Sequence, residues 1–236
     1  PIQYPRMKQF ILLLFSLCGP LAFGQTTFVA GYFVTKDGQR TDCQILVKAE
    51  DWRDNPKSFE YRSGDGVEPR QADLENIFEL GLASGGVFHR MTLDIDRSPD
   101  EVSKLKEARS PEFASEALFL RLLSTGKATL YQYDEGNLHR FFFAVDKGQV
   151  KQLVYKRYMT PNYRVNRLDA KYGTLDIAVN EDYKQQLLNE LRCNSLGKKD
   201  FESLTYDADK LKKLFKKYNE CQGGETTTYE KNERKS

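Results

Sequence analysis

The sequence of 236 residues predicts an α+β fold with an N-terminal β-hairpin-rich part, a central antiparallel β-meander and a C-terminal amphipathic helix pair. Three observations support this class. Apolar runs joined by tight-turn dipeptides fill the first part, four strand-like runs with very short connections follow, and the apolar spacing becomes helical only near the C-terminus. Because short connections permit only antiparallel neighbours, the central strands are expected to form one meander.

The N-terminal β-rich region, residues 25–112, opens with a predicted hairpin over 28–48. Asp37-Gly38 separates its two apolar runs, and glycine accepts the positive φ that a tight hairpin turn requires. Further short strands are expected at 58–62, 77–82 and 87–95. The run SPDEVSKLKEAR then predicts a short helix, with Ser98 as its cap and a proline at its first position.

The meander region, residues 113–179, is predicted to contain strands at 116–124, 127–133, 138–146 and 149–158, with one more strand in GTLDIAV. Within the third strand, Phe141 and Phe143 point one way and Phe142 the other, so both faces of the sheet need a cover. Core packing is the simpler interpretation. The alternative is a ligand- or partner-binding aromatic face made of Tyr131, Tyr133, Phe141, Phe143 and Tyr155.

Residues 180–221 predict the helical pair. The first helix has an apolar stripe of Tyr183, Leu187, Leu188 and Leu191, and the second has Leu211, Leu214, Phe215 and Tyr218 on one side. Residues 222–236 lack apolar periodicity and predict a polar linker or tail.

Residues 1–24 predict a signal peptide together with a few upstream residues. Lys8 supplies a positive start, an apolar run follows, and the small residues Ala22 and Gly24 mark a cleavage site before Gln25. A buried N-terminal helix is the alternative. Because these features occur in the order that the export machinery reads, we expect an exported protein of the periplasm or outer membrane.

The charge balance of the mature chain argues against a nucleic-acid partner. The whole sequence has 36 basic and 34 acidic residues, and removal of the signal peptide takes away Arg6 and Lys8, which leaves 34 of each. A general nucleic-acid binder carries a clustered basic excess. We therefore expect no nucleic acid among the partners.

Three cysteines remain after cleavage, Cys43, Cys193 and Cys221, so at most one intramolecular disulfide can form. Cys193 ends the first predicted amphipathic helix and Cys221 ends the second, whereas Cys43 lies in a strand that faces the predicted core. An exported protein meets an oxidising compartment, so we predict a Cys193–Cys221 disulfide and a buried free thiol at Cys43. Two separate buried thiols are the alternative.

The sequence contains no motif with an assigned chemistry. His89 and His139 have no histidine or cysteine at metal-ligand spacing, no phosphate-binding loop is present, and no spacing singles out a catalytic carboxylate pair. The stretch DIDRSPDE has acidic residues at alternate positions, as calcium loops do, but Pro99 replaces the required glycine and Leu105 the final glutamate. We predict no catalytic residue, no metal site and no cofactor.

Several ordered motifs within residues 27–231 resemble a family of exported Bacteroidota proteins. The motifs are GYFVTKDGQRTDC, DWRDNPKSFEYR, DIDRS, LFLRLLSTGKATLYQYDEGNLHRFFF, QLVYKRY, YKQQLLNELRC and LFKKYNEC. In that family a soluble N-terminal region precedes an outer-membrane β-barrel. The resemblance implies that this chain is the soluble region, with membrane association through a barrel beyond Ser236, and it implies no chemistry for individual residues.

Together these observations predict a non-enzymatic module of an outer-membrane protein, facing the periplasm or the cell surface and serving interaction or scaffolding. Its expected partners are other envelope proteins or its own C-terminal barrel. A free secreted binding module that uses the aromatic sheet face is the first alternative, and a periplasmic hydrolase is the second.

Overall fold

The computed structural model describes residues 27–47, 55–83, 85–161 and 175–229, and the predicted signal peptide lies outside them. The described strands are β1 (Thr27–Thr35), β2 (Arg40–Val47), β3 (Glu60–Arg62), β4 (Arg70–Gln71), β5 (Ile77–Leu82), β6 (Val87–Asp96), β7 (Phe113–Thr125), β8 (Ala128–Glu135), β9 (Leu138–Val145), β10 (Lys151–Gln152), β11 (Lys156–Pro161), β12 (Leu175–Asn180) and β13 (Thr227–Thr228). The described helices are α1 (Asp182–Glu190), α2 (Lys198–Glu202) and α3 (Ala208–Cys221). The fold is therefore broadly α+β and dominated by antiparallel sheet, as predicted.

One large sheet has the strand order β10-β9-β8-β7-β6-β5-β1-β2-β3-β4, with β13 added to β7, and β11 pairs separately with β12. The predicted N-terminal hairpin is confirmed, with β1 paired to β2 from Thr27↔Val47 to Val34↔Arg40. Gly38 in its turn has φ 87°, the conformation for which glycine was expected. The sheet runs without a break past residue 112, because β6 pairs with β7 along its length.

The meander prediction is confirmed for β7, β8 and β9, whereas the predicted fourth strand, 149–158, is wrong in extent. Only Lys151–Gln152 pairs with β9. The backbone then turns towards α1, where the Val154 N–H donates to the Gln186 side chain at 2.8 Å and the Val154 carbonyl accepts from the Tyr183 N–H at 2.9 Å. The chain re-enters a strand as β11, and β12 confirms the strand predicted in GTLDIAV.

The helix predicted from SPDEVSKLKEAR is wrong, because only a 3-10 turn at Val102–Lys104 forms there. Ser98, its predicted cap, instead donates both its N–H and its hydroxyl to the Asp96 carboxylate, at 3.1 and 2.7 Å. The Ser98 carbonyl accepts a hydrogen bond from the buried Arg140 on β9. Contacts with distant strands thus fix an extended loop and override the local preference for helix.

The helices α1 and α3 confirm the predicted pair, and α2 is a short additional helix in the connection between them. Asp207 caps α3 by accepting hydrogen bonds from the N–H groups of Asp209 and Lys210. Apolar residues of all three helices pack on one face of the meander. In the described ranges, no helix combines the length and the apolar character that crossing a membrane requires.

The three consecutive phenylalanines belong to two cores, as the core interpretation predicted. Phe141 and Phe143 pack against the helices, whereas Phe142 packs on the opposite face with Leu120 and Tyr131. All three phenylalanine side chains are buried. The second core lies on the concave side of the curved sheet. The sheet curves enough for β10 to contact β6, and the Asp96 N–H donates a hydrogen bond to the Gln152 side chain at 2.8 Å.

The predicted disulfide is confirmed, since Cys193 and Cys221 are bonded with their Cα atoms 6.4 Å apart, and Cys43 is a buried free thiol. The polar tail predicted at 222–236 has more structure than expected. Its residues Thr227–Thr228 pair with the end of β7, and the Tyr229 N–H donates to the Leu123 carbonyl at 3.0 Å. Pairing with an unoccupied strand edge therefore orders a segment that lacks apolar periodicity.

Candidate functional site

The five residues of the predicted aromatic face do not lie together. Phe141, Phe143 and Tyr155 pack on the helix side of the sheet, whereas Tyr131 and Tyr133 belong to the core on the other side. Four of them are buried, and the half-buried Tyr155 stacks on Tyr206 with ring centroids 4.5 Å apart. The alternative of a single binding face made of these five residues is corrected accordingly, because alternation along β8 and β9 distributes the rings between two cores.

A different feature stands out at the junction of β7 and β8, because these strands pair over only part of their lengths. Their ladder consists of Arg121↔Gln132, Leu122↔Tyr131 and Ser124↔Leu130. Yet β7 begins at Phe113 and β8 continues to Glu135. The strands separate between residues 113–120 of β7 and 133–135 of β8, and we call this gap the β7–β8 split.

Asn55 closes the inner end of the split. Its Nδ2 donates to the carbonyls of Phe119 at 2.6 Å and Gln132 at 3.0 Å, one from each strand. Its backbone N–H donates to the Asp134 carbonyl, and its Oδ1 accepts from the Asp134 N–H, both at 2.9 Å. One buried residue thereby satisfies backbone groups that a continuous ladder would have paired.

Arg97 bridges the outer part of the split. Its Nε and Nη2 donate to the two carboxylate oxygens of Glu116 on β7, at 3.0 and 2.6 Å, and its Nη1 donates to Glu135 on β8. The Tyr133 hydroxyl accepts from Arg97 at 3.2 Å and donates to Glu135 at 2.8 Å. Lys57 binds the other oxygen of Glu135. We call these five residues the Arg97 network; its bidentate Arg–carboxylate pair is the geometry that holds charges most firmly.

The Arg97 network keeps both of its carboxylates ionised. The hydrogen bonds from Arg97 lower the pKa of Glu116, and those from Lys57 above all, with Tyr133 and Arg97, lower the pKa of Glu135 to about 2. Glu116 in turn raises the pKa of Arg97, while burial and the bond to Glu135 raise the pKa of Tyr133 to about 12. At neutral pH none of these four groups is poised to exchange a proton, as a general acid or base must.

Two neighbouring cavities share Arg97 as a wall. The larger, of about 370 Å³, is lined by Arg97, Pro99, Asp100, Glu101, Lys104, Glu135, Asn137 and Leu138. The smaller, of about 280 Å³, lies beside β7 and is lined by Pro56, Lys57, Leu74, Arg90, Arg97, Glu116, Ala117, Leu118, Phe119 and Tyr133. The smaller cavity therefore has three cationic side chains and one carboxylate.

Arg90 is the distinctive member of the smaller cavity. Lys57 and Arg97 are neutralised by the carboxylates of the Arg97 network, but Arg90 has no carboxylate partner among the described residues. The smaller cavity thus presents a cation to whatever enters it.

A second polar cluster lies on β1, β5 and β6. The Tyr32 hydroxyl donates to Glu79 at 2.7 Å, and His89 Nε2 lies 3.0 Å from the other Glu79 oxygen. Burial lowers the pKa of His89, and burial together with Glu79 raises the pKa of Tyr32 to about 12. The cluster lines neither cavity of the split, so we interpret it as a structural hydrogen-bond network.

The stretch that resembled a calcium loop binds a guanidinium instead. Arg140, whose side chain is fully buried, donates to the carbonyls of Asp96 and Ser98 and to the Asp100 carboxylate. These oxygens surround a protein cation at the place where a loop of this type would hold a metal. Across the described ranges, no three His, Cys, Asp or Glu side chains are grouped to hold a metal ion.

Comparisons of the chain with protein-family models, with curated proteins and with solved structures found no match. The residues that form the split were also missed by the reasoning from sequence. The bonds of Asn55 span 64 and 77 positions and that of Arg97 to Glu135 spans 38, so no local spacing connects these residues. In the sequence, the one feature that could have indicated the split is the weak apolar alternation of FASEA at the start of β7.

Proposed function

We propose that this chain is a non-enzymatic interaction module of the bacterial envelope, exported and carried by an outer-membrane protein, and that it holds its partner at the β7–β8 split. The observation that carries the proposal is the Arg97 network beside two cavities. Its charged groups are fixed by one another before any ligand arrives. Pre-organised polar groups at a concave site are typical of recognition.

The same network speaks against the hydrolase alternative. Glycoside hydrolysis by a carboxylate pair requires one member that stays protonated near neutral pH. Both Glu116 and Glu135 have lowered pKa values, so neither can donate a proton there. A site whose charges are permanent suits the recognition of another charged group better than proton transfer.

Export is supported by the Cys193–Cys221 disulfide, because such bonds persist in oxidising compartments and are rare in the cytosol. Attachment to an outer-membrane protein rests on the family resemblance. The proposed partners are other envelope proteins or a barrel in the same polypeptide. A freely secreted binding module remains the second candidate, and it would use the split as well, since the aromatic residues are committed to two cores.

In-cell photo-cross-linking tests this proposal. A photoreactive amino acid replaces Asn137, which lines the larger cavity, and in a matched control it replaces the exposed Lys198 on α2. We expect cross-links to an envelope protein, or to a barrel in the same polypeptide, from position 137 and not from 198, with the module recovered in the outer-membrane fraction. Equal labelling from both positions, no adduct at all, or a hydrolytic activity abolished by Glu116→Gln would contradict the proposal.

A further inference from the structure

One edge of β7 lies open inside the split. The carbonyl of Phe119 points into the split, because it accepts the Asn55 side chain. Along a strand, every second residue directs its N–H and C=O to the same side. The backbone groups of Phe113, Ser115 and Ala117 therefore point into the split as well.

Those backbone groups have no strand partner in the part of the chain that the structure describes. On the far side, β6 pairs with β7 from Phe88↔Arg121 to Asp96↔Phe113, whereas β8 pairs with it only from Arg121 onwards. The side chains in FASEA are exposed except for the half-buried Glu116. An exposed row of unpaired N–H and C=O groups is a template for pairing with another strand.

Three common protections of a strand edge are missing from this segment. Proteins commonly block an exposed edge with lysine, proline or a bulge. FASEA has no lysine or proline, and its pairing with β6 has a regular register. Its single charge, Glu116, is held by Arg97. The open edge is thus compatible with the approach of a second backbone.

The cavity beside the open edge adds a preference for negative charge. Ala117 lines the smaller cavity together with Arg90, which lies opposite Phe119 on β6. Phe119, Ala117 and Ser115 alternate along β7 and so share the face on which Arg90 lies. Because alanine is small, Ala117 leaves room in the smaller cavity beside the long Arg90 side chain.

We propose that an extended acidic peptide segment of a partner protein adds to β7 as a further strand, bonds the backbone of Ser115 and Ala117, and places a carboxylate beside Arg90. This inference rests on the proposed function and specifies the partner of the same site. In strand addition, backbone hydrogen bonds supply affinity and side-chain pockets supply selectivity. Here the open edge of β7 supplies the backbone hydrogen bonds, and the smaller cavity supplies the selectivity.

A peptide titration followed by NMR tests the inference on the uniformly ¹⁵N-labelled mature chain. The probe is a seven-residue peptide of alternating threonine and valine with a central glutamate, and matched peptides have glutamine or lysine at the centre. We expect the glutamate peptide to shift the amide signals of Ser115 and Ala117 and to slow their hydrogen exchange. The glutamine peptide should bind about tenfold more weakly, and the lysine peptide more weakly still.

Two variants distinguish the contribution of the β7 edge to peptide binding from that of the Arg90 charge. Ala117→Pro removes an N–H that bonds to no described residue, and proline is tolerated at such edge positions, so the fold should persist while peptide binding is lost. Arg90→Gln should remove the preference for glutamate over glutamine. The control, Lys198→Gln on α2, should change neither property. Ser115→Pro repeats the edge test at an independent position if Ala117→Pro does not fold.

Three outcomes would overturn addition of a partner strand. Peptide affinity could be unchanged in both proline variants, or the signal shifts could be confined to residues away from β7. The third is protection of Ser115 that rises with protein concentration in the absence of peptide, which would identify a second copy of the chain as the occupant. Cross-links from position 137 that persist in Ala117→Pro would reject strand addition and leave the interaction module standing. Absence of those cross-links in the otherwise unchanged chain would reject the proposed function, while the peptide titration still decides the role of the edge.

Discussion

The two ends of β7 lie in contrasting surroundings. Its second half pairs with β8 on one edge, receives β13 at Ser124 and Thr125, and buries Leu122 and Leu123 in opposite cores. Its first half, residues 113–117, keeps β6 on one edge and has no strand on the other among the described residues. One strand therefore passes from a closed core to an open edge.

The comparison shows that the segments richest in apolar residues form the core of this protein and not its candidate site. The segment richest in aromatic residues is occupied by packing on both faces. The candidate site lies where the backbone ladder stops and where Asn55 and Arg97 bridge β7 and β8 instead. The following predictions concern the packed parts of the molecule and the split.

The largest effect is expected for Phe142→Ala. Phe142 is fully buried, so its truncation should lower the free energy of unfolding by ~3–5 kcal/mol. The matched variant at the open end, Phe113→Ala, removes a side chain that is 48% exposed and should cost less than ~1 kcal/mol. Urea denaturation of both variants checks this, and similar losses would contradict the contrast between the packed meander and the open end of β7.

Loss of the disulfide should follow closely in magnitude. Cys193 and Cys221 are 28 positions apart, and the chain-entropy model gives about 3.6 kcal/mol for a loop of this size. The double variant Cys193→Ser with Cys221→Ser should show that loss in thermal or urea unfolding. Cys43→Ala serves as the control, because that thiol makes no disulfide, and it should cost clearly less. Equal destabilisation by both would indicate that the disulfide does not brace the helices.

Asn55→Ala tests the inner end of the split. The variant leaves the carbonyl of Phe119 and the N–H of Asp134 without their partner, so we expect a loss of about 1–3 kcal/mol. Asn137→Ala, on an exposed turn, is the control and should be nearly neutral. If Asn55→Ala is also neutral in urea unfolding, another group must hold the two strands together.

The smallest effect concerns pH. The pKa of Glu135 falls from 4.5 to about 2 in the folded protein, and that of Glu116 is also lowered. Since a lowered folded-state pKa stabilises the protein above the ordinary value, this contribution should be present above about pH 4.5 and disappear as the pH falls towards 2. The decline should be shallower in Glu135→Gln than in the unchanged chain. Parallel stability curves over this range would show that the Arg97 network contributes no pH dependence.

The parts of the fold that local pattern determines could be predicted from the sequence. Asp37-Gly38 located the first hairpin, the alternation around Phe142 gave two buried faces, and the apolar stripes gave α1 and α3. The disulfide followed from where those two helices end. In each case the decisive residues lie within one element or at its ends.

The predictions that were wrong concern structure that depends on contacts between distant residues. Ser98 was predicted to cap a helix, but Arg140, 42 positions away, binds its carbonyl and fixes an extended loop. The fourth meander strand ends early because α1 captures Val154. The split depends on contacts of Asn55 and Arg97 with strands that follow much later in the chain. Periodicity in the sequence does not predict such long-range contacts.

Amide hydrogen exchange of the free protein tests the central contrast most directly. The N–H groups of Ala117 and Arg121 point towards the same edge of β7, but only Arg121 has a partner strand there. We expect Ser115 and Ala117 to exchange at least ~100-fold faster than Arg121, because an unpaired amide lacks the protection of a core ladder. Equal protection of Ala117 and Arg121 would show that this edge of β7 is closed.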